Sequence, residues 1–198
     1  MTGSASVFPV LGGWTLRRAT LDDLDRLAAL EATIFVNDAW PHELWRAELT
    51  SPHTWYLVVV PVDAPAEVLG YAGLLALPGA DDGDVQTIGL SPELRGHGVG
   101  RELMRQLHEE ARRRGVREMF LDVRVDNPVA QSLYRSFGYE RIGVRRGYYQ
   151  PDNVDALVMR LALNGDDPVG RRAPDAEQAV PARTALTGDQ AAPAGEDR

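Results

Sequence analysis

The sequence lacks two residue types altogether: among its 198 residues there is no cysteine and no lysine. Without cysteine the chain can form no disulfide, no cysteine–metal site and no thiol nucleophile. The same absence is typical of a protein from a reducing compartment. Every basic residue is an arginine, and the formal net charge of −8 argues against wholesale binding to nucleic acid or to a lipid surface. We therefore expect neither nucleic acid nor membrane among its partners.

Long apolar segments and basic leaders are also absent. No apolar run approaches the ~20 residues needed to span a membrane. Residues 1–13 contain neither a basic start nor a continuous apolar core, so they do not resemble a signal peptide. The four histidines are scattered without metal-ligand spacing, so no metal site is predicted. These features predict a soluble cytoplasmic protein and leave its oligomeric state open.

Changes in composition divide the chain into three parts. Residues 1–13 are mostly small and include Gly and Ser, which predicts a flexible leader. Residues 164–198 are rich in Ala, Pro, Asp and Gly and have almost no large apolar side chain, which predicts a disordered acidic tail. Residues 14–163 lie between them. They are long enough to bury the core of one domain.

Apolar spacing within residues 14–163 predicts a succession of strands and helices. Alternating or β-branched runs predict strands at about 14–18, 55–60, 68–77, 85–90, 119–125, 140–146 and 154–163. Apolar residues three and four apart predict helices at about 20–34, 42–49, 98–114 and 128–137. The early strands form a hairpin and the later ones alternate with helices. We therefore expect an α/β fold, a mixed sheet with helices on both faces.

The stretch from Asp84 to Arg101 carries the strongest functional signal. It joins a short apolar run, Val85–Leu90, to a glycine-dense turn at 95–100 and to the start of a long amphipathic helix. Glycines let the backbone approach a ligand closely, and the free N–H groups of a helix's first turn point toward negative charge. This architecture predicts an anion-binding site. An ordinary tight turn is the alternative that the stretch alone leaves open.

The spacing of the glycines excludes two common phosphate motifs. No Gly-Lys-Ser/Thr follows the turn, so it is not a Walker A loop. The spacing Gly96-x-Gly98-x-Gly100 is too tight for the dinucleotide fingerprint G-x-G-x-x-G. What remains is Arg95-x-x-Gly98-x-Gly100 leading directly into a helix. This segment resembles the (Arg/Gln)-x-x-Gly-x-(Gly/Ala) acyl-CoA loop of the GCN5-related N-acetyltransferases (GNAT).

The resemblance extends beyond the loop. Leu121–Tyr149, read as LDVRVDNPVAQSLYRSFGYERIGVRRGYY, and then residues 155–159 are similar to the RimI type, the ribosomal-protein N-terminal alanine acetyltransferases. Residues 39–42 resemble that type's aromatic-proline segment. The likeness covers roughly 14–163. It implies the GNAT acyl-CoA N-acyltransferase fold, with a central, mostly antiparallel mixed sheet, and acetyl-CoA as the cofactor.

The resemblance implies a set of cofactor contacts. In the family the loop holds the pyrophosphate of coenzyme A, and a splayed strand offers main-chain partners to the pantetheine arm. That strand corresponds to residues 86–90, and Gly89 is expected to form a bulge that frees backbone groups. The contacts implied are Ile88, Leu90, Arg95, Gly96, His97, Gly98, Val99, Gly100 and Arg101, with Asn127 at the position of the family's pantetheine-contacting asparagine.

Two side chains are candidates for the transfer itself. The family's general acid corresponds to Tyr134. The RimI type's glutamate base corresponds to Asp122, where this chain departs from the pattern. Aspartate is one methylene shorter, which favours a water relay over direct deprotonation. The residues alone leave Tyr134 open as a core aromatic, and Asp122 as an ion-pair partner of Arg124 on the same strand face.

The resemblance also implies the kind of acceptor. Trp40, Tyr148 and Tyr149 occupy segments that flank the acceptor groove in the family, so they are acceptor-site candidates. The expected acceptor is a protein N-terminal α-amine, by the family type that of a ribosomal protein, which attacks directly in a ternary complex. Two other functions stay open. One is acetylation of a small-molecule amine, and the other is acyl-CoA binding without catalysis.

Overall fold

The structure, a computed structural model, describes residues 8–9, 12–163 and 183–185. Its strands are β1 (Phe8–Pro9), β2 (Trp14–Arg18), β3 (Thr54–Pro61), β4 (Gly70–Leu75), β5 (Asp82–Leu90), β6 (Glu118–Arg124), β7 (Glu140–Tyr149), β8 (Val154–Ala162) and β9 (Arg183–Ala185). Its α-helices are α1 (Leu24–Ile34), α2 (His42–Thr50), α3 (Val99–Arg113) and α4 (Pro128–Ser136). Short 3₁₀ turns at Leu21–Asp23 and Pro92–Leu94 precede α1 and α3.

One sheet joins all the strands of the described residues. Its order is β1-β2-β3-β4-β5-β6-β8-β7, and β9 pairs with β5. The pairs β5–β6 and β5–β9 are parallel, whereas the other neighbours are antiparallel. Seven strands, β2–β8, form the body of the sheet. The predicted mixed, mostly antiparallel sheet is confirmed.

Helices cover both faces of the sheet, as predicted. Helices α1 and α2 pack on one face, where the buried cluster includes Leu27, Trp45, Tyr56, Val58 and Tyr71. Helices α3 and α4 pack on the other, where the buried cluster includes Leu57, Ile88, Leu103, Leu107 and Tyr134. Removal of these apolar surfaces from water is the main force that holds the helices to the sheet.

Two buried carboxylates tie the first helix pair to the sheet. Glu31 of α1 accepts a hydrogen bond from the Tyr71 hydroxyl on β4. Glu48 of α2 accepts one from the Tyr56 hydroxyl on β3, over 2.8 Å. Burial raises the pKa of Glu48, and the bond from Tyr56 opposes that rise. Each carboxylate is buried with a partner, as a polar group in a core must be.

Helix α3 shows how apolar spacing sets a helix on the sheet. Val99, Leu103, Leu107 and Ala111 recur at every fourth position, and all four are fully buried. The helix ends just before Gly115, whose φ of +87° is a left-handed conformation that favours glycine. Two arginines in the last turn lie near the negative end of the helix dipole. The predicted helix and its glycine end are confirmed.

Helix α4 begins at Pro128 and is capped by Asn127, as predicted. The side-chain Oδ1 of Asn127 accepts a hydrogen bond from the Ala130 N–H at 3.0 Å, and Pro128 takes the first helical position. This cap fixes the direction of α4 immediately after β6. It thereby turns Tyr134 into the core.

Two short strands lie in the segments predicted to be a flexible leader and a disordered tail. Phe8–Pro9 pairs with β2, and Arg183–Ala185 pairs with β5. Apart from these strands and residues 12–13, the leader and the tail lie outside the described residues. The division of the chain into leader, domain and tail stays a prediction.

Candidate active site

Strands β5 and β6 run side by side and then separate. They are in parallel register at Asp82–Asp84 and Glu118–Phe120. Beyond these residues the two strands no longer pair with each other. Residues 85–90 keep β4 as a neighbour, and residues 121–124 keep β8. A cleft, here called the interstrand cleft, therefore opens within the sheet, and the freed backbone groups along it need partners from elsewhere.

The bulge on β5 lies three residues before the predicted position. Gly73 of β4 faces Thr87 and Leu74 faces Val85, so Gln86 is the extra residue. The prediction of a bulge at Gly89 is wrong. Glycine is needed there for another reason: a Cβ on Gly89 would lie 2.4 Å from Cζ of Tyr71.

Side chains and main chain of β5 have different roles. Ile88 and Leu90 are buried in the core, so they can offer a ligand only their backbone groups. Gln86 Oε1 and Thr87 Oγ1 are buried and lack a hydrogen-bond partner among the described residues. Buried polar atoms are normally paired. This strand therefore has unmet hydrogen-bonding capacity where a ligand with polar groups would fit.

The glycine turn after β5 forms an open cradle. Gly96 and Gly98 adopt φ of +76° and +78°, and a Cβ on either would meet no atom within 4 Å. In the described part of the chain, the N–H groups of Gly96, His97 and Gly98 donate to no backbone carbonyl. Helix α3 starts at Val99, so its positive dipole end adds to these donors. The turn has the geometry of an anion site.

Arg101 and His97, at the cradle, each contact side chains from other parts of the fold. Arg101 donates to Ser136 Oγ at 2.9 Å, and its guanidinium lies 5.2 Å from the Phe137 ring centroid. The exposed His97 ring packs against Trp14 with centroids 5.2 Å apart. Nε of Arg95 is buried and has no partner within the described residues. Arg95, one of the loop residues predicted to bind the cofactor, therefore has a hydrogen-bond donor available to a ligand.

Tyr134 of α4 lies in the core, in the buried cluster that also contains Ile88 of β5. Its side chain has no exposed surface, and its ring meets the Tyr139 ring edge-on at 5.8 Å between centroids. The Tyr139 hydroxyl in turn lies 3.0 Å from Nε2 of His108 on α3. Burial, aided by Arg112, lowers the pKa of His108 to about 4, so this histidine is neutral at physiological pH. Packing fixes Tyr134 in one position.

Asp122 is buried on β6 and paired with a cation. Its Oδ2 accepts a hydrogen bond from Arg145 Nη1 at 2.9 Å. Burial raises the pKa of Asp122, while Arg145 and the nearby Tyr148 hydroxyl act against the rise. The alternative of an ion pair with Arg124 is wrong. Arg124 binds Asp126 at 2.9 Å and Asp152 at 3.2 Å instead.

Asp84 is a carboxylate that sequence reasoning missed as a site residue. It is the last β5 residue in register with β6, at the point where the cleft opens. Burial, reinforced by the charges of Asp122 and Asp82, raises the pKa of Asp84 to about 6. Its carboxylate makes no ion pair with a described residue. Its place at the start of the glycine-rich stretch was the only available signal.

Known proteins resemble the chain in sequence and in fold. The model of the acetyltransferase (GNAT) family matches residues 21–139. A protein named N-alpha-acetyltransferase RimI, from Mycobacterium tuberculosis, is 42% identical over 149 residues, or 74% of this chain and 90% of that protein. A Bacillus subtilis protein, a candidate [ribosomal protein bS18]-alanine N-acetyltransferase, is 33% identical over 75% of this chain and 95% of its own length. The chain belongs to the acetyltransferase (GNAT) family.

A solved structure supports the fold independently of close sequence similarity. The ribosomal-protein-S18-alanine N-acetyltransferase from Escherichia coli matches with a TM-score of 0.66 at 22% identity, over 80% of this chain and 99% of that chain. The predicted fold and the predicted family are both confirmed. This acetyltransferase is an N-acetyltransferase that depends on acetyl-CoA.

The cleft of this acetyltransferase fits such a ligand. Glycines 96 and 98 leave open space beside free N–H groups, which suits a pyrophosphate. The edge of β5 that β6 leaves beyond Asp84, and that pairs with β9 at Thr87–Gly89, suits the amides of a pantetheine arm. Asn127 lies beside the cleft, but its Oδ1 already caps α4. The cofactor roles of the individual residues stay predictions.

The aromatic candidates for acceptor binding lie in different surroundings. Trp40 is 3% exposed and packs on Trp45 with ring centroids 5.2 Å apart, so it is part of the core. Tyr149 is also buried, with Arg124 5.3 Å from its ring centroid. Tyr148 is half-buried, and burial together with the Asp122 charge raises the pKa of its hydroxyl. Tyr148 and Tyr149 both lie near the candidate catalytic carboxylate, because the Asp122 charge raises the pKa of each hydroxyl after burial does.

Two loops meet near these aromatics. The loop between α1 and α2 reaches the β7–β8 loop through a contact of 3.4 Å between Asn37 Nδ2 and Asp152 Oδ1. Within the described residues no cluster of His, Cys, Asp or Glu could hold a metal ion. No helix among them is long and apolar enough to cross a membrane.

Proposed function

We propose that this acetyltransferase transfers the acetyl group of acetyl-CoA to the N-terminal α-amine of a protein, with an alanine terminus of a ribosomal protein as the acceptor. The observation that carries the proposal is the interstrand cleft. The glycine cradle follows the carboxyl end of β5, and two carboxylates, Asp84 and Asp122, stand where the strands separate. The relatives named for N-alpha and bS18-alanine acetylation support this choice of acceptor.

The cofactor contacts follow from the direction of β5. The strand runs from Asp84 toward the cradle, so a pyrophosphate on Gly96–Val99 directs the pantetheine arm back along residues 86–90. Backbone groups of Ile88 and Leu90 would pair with its amides. Arg95, with a donor still unsatisfied, would contact a phosphate. This orientation brings the thioester toward the two carboxylates.

The transfer itself needs a neutral amine, a base and an acid. Bound acetyl-CoA supplies the activated acetyl thioester. The amine nitrogen attacks the carbonyl carbon, the new C–N bond forms and the C–S bond breaks. The proton lost by the amine passes through a water to Asp122, and the Tyr134 hydroxyl gives its proton to the departing thiolate. Buried Tyr134 is held in a single position, which favours an acid role.

Asp84 is a second carboxylate in the cleft that can accept a proton. Asp122 is tied to Arg145, whereas the Asp84 carboxylate has no such partner. A pKa of about 6 leaves Asp84 ionised at neutral pH and still able to take up a proton. A free α-amine has a pKa of about 8, so one nearby carboxylate is enough to draw off its proton. A lysine side chain, with a pKa of about 10.4, needs a stronger base.

A peptide panel tests the choice of acceptor. We expect the full chain to release thiol from acetyl-CoA with a peptide that begins with a free alanine. The matched control is the same peptide with a blocked N-terminus and one internal lysine, which should give no product. Mass spectrometry locates the acetyl group. Turnover only with small amines would show a small-molecule enzyme, and acetyl-CoA binding without any turnover would show a non-catalytic module.

The proposal also concerns the domain and its place of action. Residues 14–163 hold every proposed catalytic group, so we take them as the catalytic domain, with a leader before and a tail after. Acetylation of a newly made ribosomal protein would take place in the cytoplasm. Mass spectrometry of ribosomal-protein N-termini, from cells with and without this chain, tests both the acceptor and the compartment.

A further inference from the structure

Strand β9 lies in the interstrand cleft. Arg183–Ala185 runs parallel to β5, in register with Thr87–Gly89. It also contacts β6, so it sits between the two strands that separate beyond Asp84. A segment from the end of the chain therefore takes up the backbone hydrogen-bonding positions that the separation leaves free.

The β5 residues that pair with β9 belong to the segment proposed to bind the pantetheine arm. The side chain of Ile88 is buried in the core, so only its main-chain groups face a ligand. A peptide strand satisfies these groups through its own N–H and C=O, as the amides of a pantetheine arm do. Both occupants need the same donors, the same acceptors and the same space. They therefore exclude each other.

We propose that β9 is a built-in competitor of acetyl-CoA: the cleft holds either residues 183–185 or the pantetheine arm. The proposal rests on the cofactor position given under the proposed function. Acetyl-CoA then binds only the fraction of molecules in which β9 has left the cleft, and its apparent dissociation constant rises by the inverse of that fraction. The tail thus sets the acetyl-CoA concentration at which the enzyme becomes active.

The connecting segment is long enough for exchange. Residues 164–182 comprise 19 residues between the end of the domain and β9. A chain of this length spans up to ~60 Å when extended. It allows β9 to leave the cleft and return while it stays tethered, and tethering keeps its effective concentration high.

The structure shows the state in which β9 occupies the cleft. At the proposed cofactor position, the pantetheine arm cannot pair with Thr87–Gly89 while β9 does. This state is therefore a resting state, and acetyl transfer requires displacement of β9.

Proline substitutions in the full chain test the competition. Thr184→Pro removes a backbone N–H from the middle of β9 and so weakens its pairing with β5. We expect the acetyl-CoA dissociation constant, measured by calorimetry, to fall roughly 3- to 10-fold as the open fraction grows. Ala185→Pro should act in the same direction. Ala192→Pro, the same change farther along the tail, is the matched control and should leave binding unchanged.

A peptide added in trans gives the second measurement. A synthetic peptide of residues 179–190 should inhibit the Thr184→Pro enzyme competitively against acetyl-CoA. Equal acetyl-CoA affinity in wild type and both β9 proline variants, each shown to be folded by circular dichroism, would overturn the proposal. If none of the variants binds acetyl-CoA, the cofactor position fails and the proposal fails with it. If wild type binds acetyl-CoA and the proline variants bind it with the same affinity, the competition by β9 is refuted, whereas the proposed cofactor position is not.

Discussion

Arg145 reaches across β8 to Asp122, and its Nη1 lies 2.9 Å from the Asp122 Oδ2. The two residues stand on β7 and β6, which are not neighbours in the sheet because β8 lies between them. Asp122 is almost wholly buried, whereas the Arg145 side chain is 24% exposed. The guanidinium therefore opposes the rise in the Asp122 pKa that burial causes. Loss of one member of such a pair costs more than loss of both.

Breaking this pair from one side should cost stability that removal of the second charge restores. We expect Arg145→Met to lower the free energy of unfolding by about 2 kcal/mol at pH 7.5, because Asp122 is left buried without its cation. Arg145→Met/Asp122→Asn should recover part of that loss. Urea unfolding measures Arg145→Met, Asp122→Asn and the double variant. Additive single effects would mean that the two side chains do not interact.

The control for this cycle is a neighbouring pair at the surface. Arg146 binds Asp155 at 2.6 Å, but its side chain is 87% exposed. Exposed ion pairs contribute about 0–1 kcal/mol. Arg146→Met should therefore change the unfolding free energy by less than about 0.5 kcal/mol. Acetyl transfer should fall with Arg145→Met and stay unchanged with Arg146→Met.

The pH dependence of activity should report Asp84. Since its pKa is raised to about 6, the carboxylate is ionised above pH 6 and protonated below it. We expect kcat/KM of the wild type to decline as pH falls through about 6. Asp84→Asn should remove that inflection and reduce kcat. An inflection at the same pH in Asp84→Asn would assign it to another group.

The same residue gives a stability test with a defined sign. In the folded state Asp84 binds a proton more readily than in the unfolded chain, so its contribution favours folding at low pH and is lost as pH rises through about 6. Asp84→Asn mimics the protonated form. It should therefore raise the melting temperature at pH 7.5 and change it little at pH 4. Asp63→Asn, on an exposed residue of the turn between β3 and β4, is the control and should show no such difference.

The sequence predicted most of the framework because the framework depends on local patterns. Val99 and the three apolar residues that follow it at every fourth position of α3 recur with the period of a helix. Asn127-Pro128 starts α4 through a hydrogen bond between residues three positions apart. Strand β2 has the predicted bounds of Trp14 and Arg18. The glycine cradle was predictable because positive φ and close approach both require glycine at particular positions.

What the sequence did not predict depends on residues far apart in the chain. Asp122 and Arg145 are 23 positions apart, and only the strand order β6-β8-β7 brings them together. The bulge lies at Gln86 because of the register against β4, which no local pattern specifies. Gly89 was misassigned because its reason is the ring of Tyr71 on another strand. Asp84 is recognisable as a candidate site residue only from the structure, in which β5 and β6 separate just after it.

Tyr134 is the proposed acid, and its neighbour offers a matched comparison. We expect Tyr134→Phe to lower kcat by about 100-fold or more, because general acid catalysis contributes about 10²–10⁴-fold, while the KM for acetyl-CoA stays the same. Tyr139→Phe removes a hydroxyl from the same aromatic contact and loses the bond to His108. It should cost about 1 kcal/mol of stability and leave kcat unchanged. Equal kcat in wild type and Tyr134→Phe would exclude the acid role.

Two glycines at opposite ends of α3 separate backbone strain from cofactor binding. Gly98 has φ of +78° and Gly115 has φ of +87°, and a Cβ on either would meet no atom within 4 Å. Alanine at either position should therefore cost about 1 kcal/mol or slightly more, from the left-handed backbone alone. Urea unfolding should show similar losses for both variants.

Acetyl-CoA affinity should distinguish these two variants. A methyl group on Gly98 projects into the cradle, where the pyrophosphate is proposed to lie, and it disturbs N–H groups at the start of α3. Gly98→Ala should weaken acetyl-CoA binding by about 10-fold or more, which corresponds to about 1.4 kcal/mol. Gly115→Ala should leave the affinity as in wild type. If calorimetry gave the same loss for both, the effect would come from strain in the helix, and the cradle would not be the pyrophosphate site.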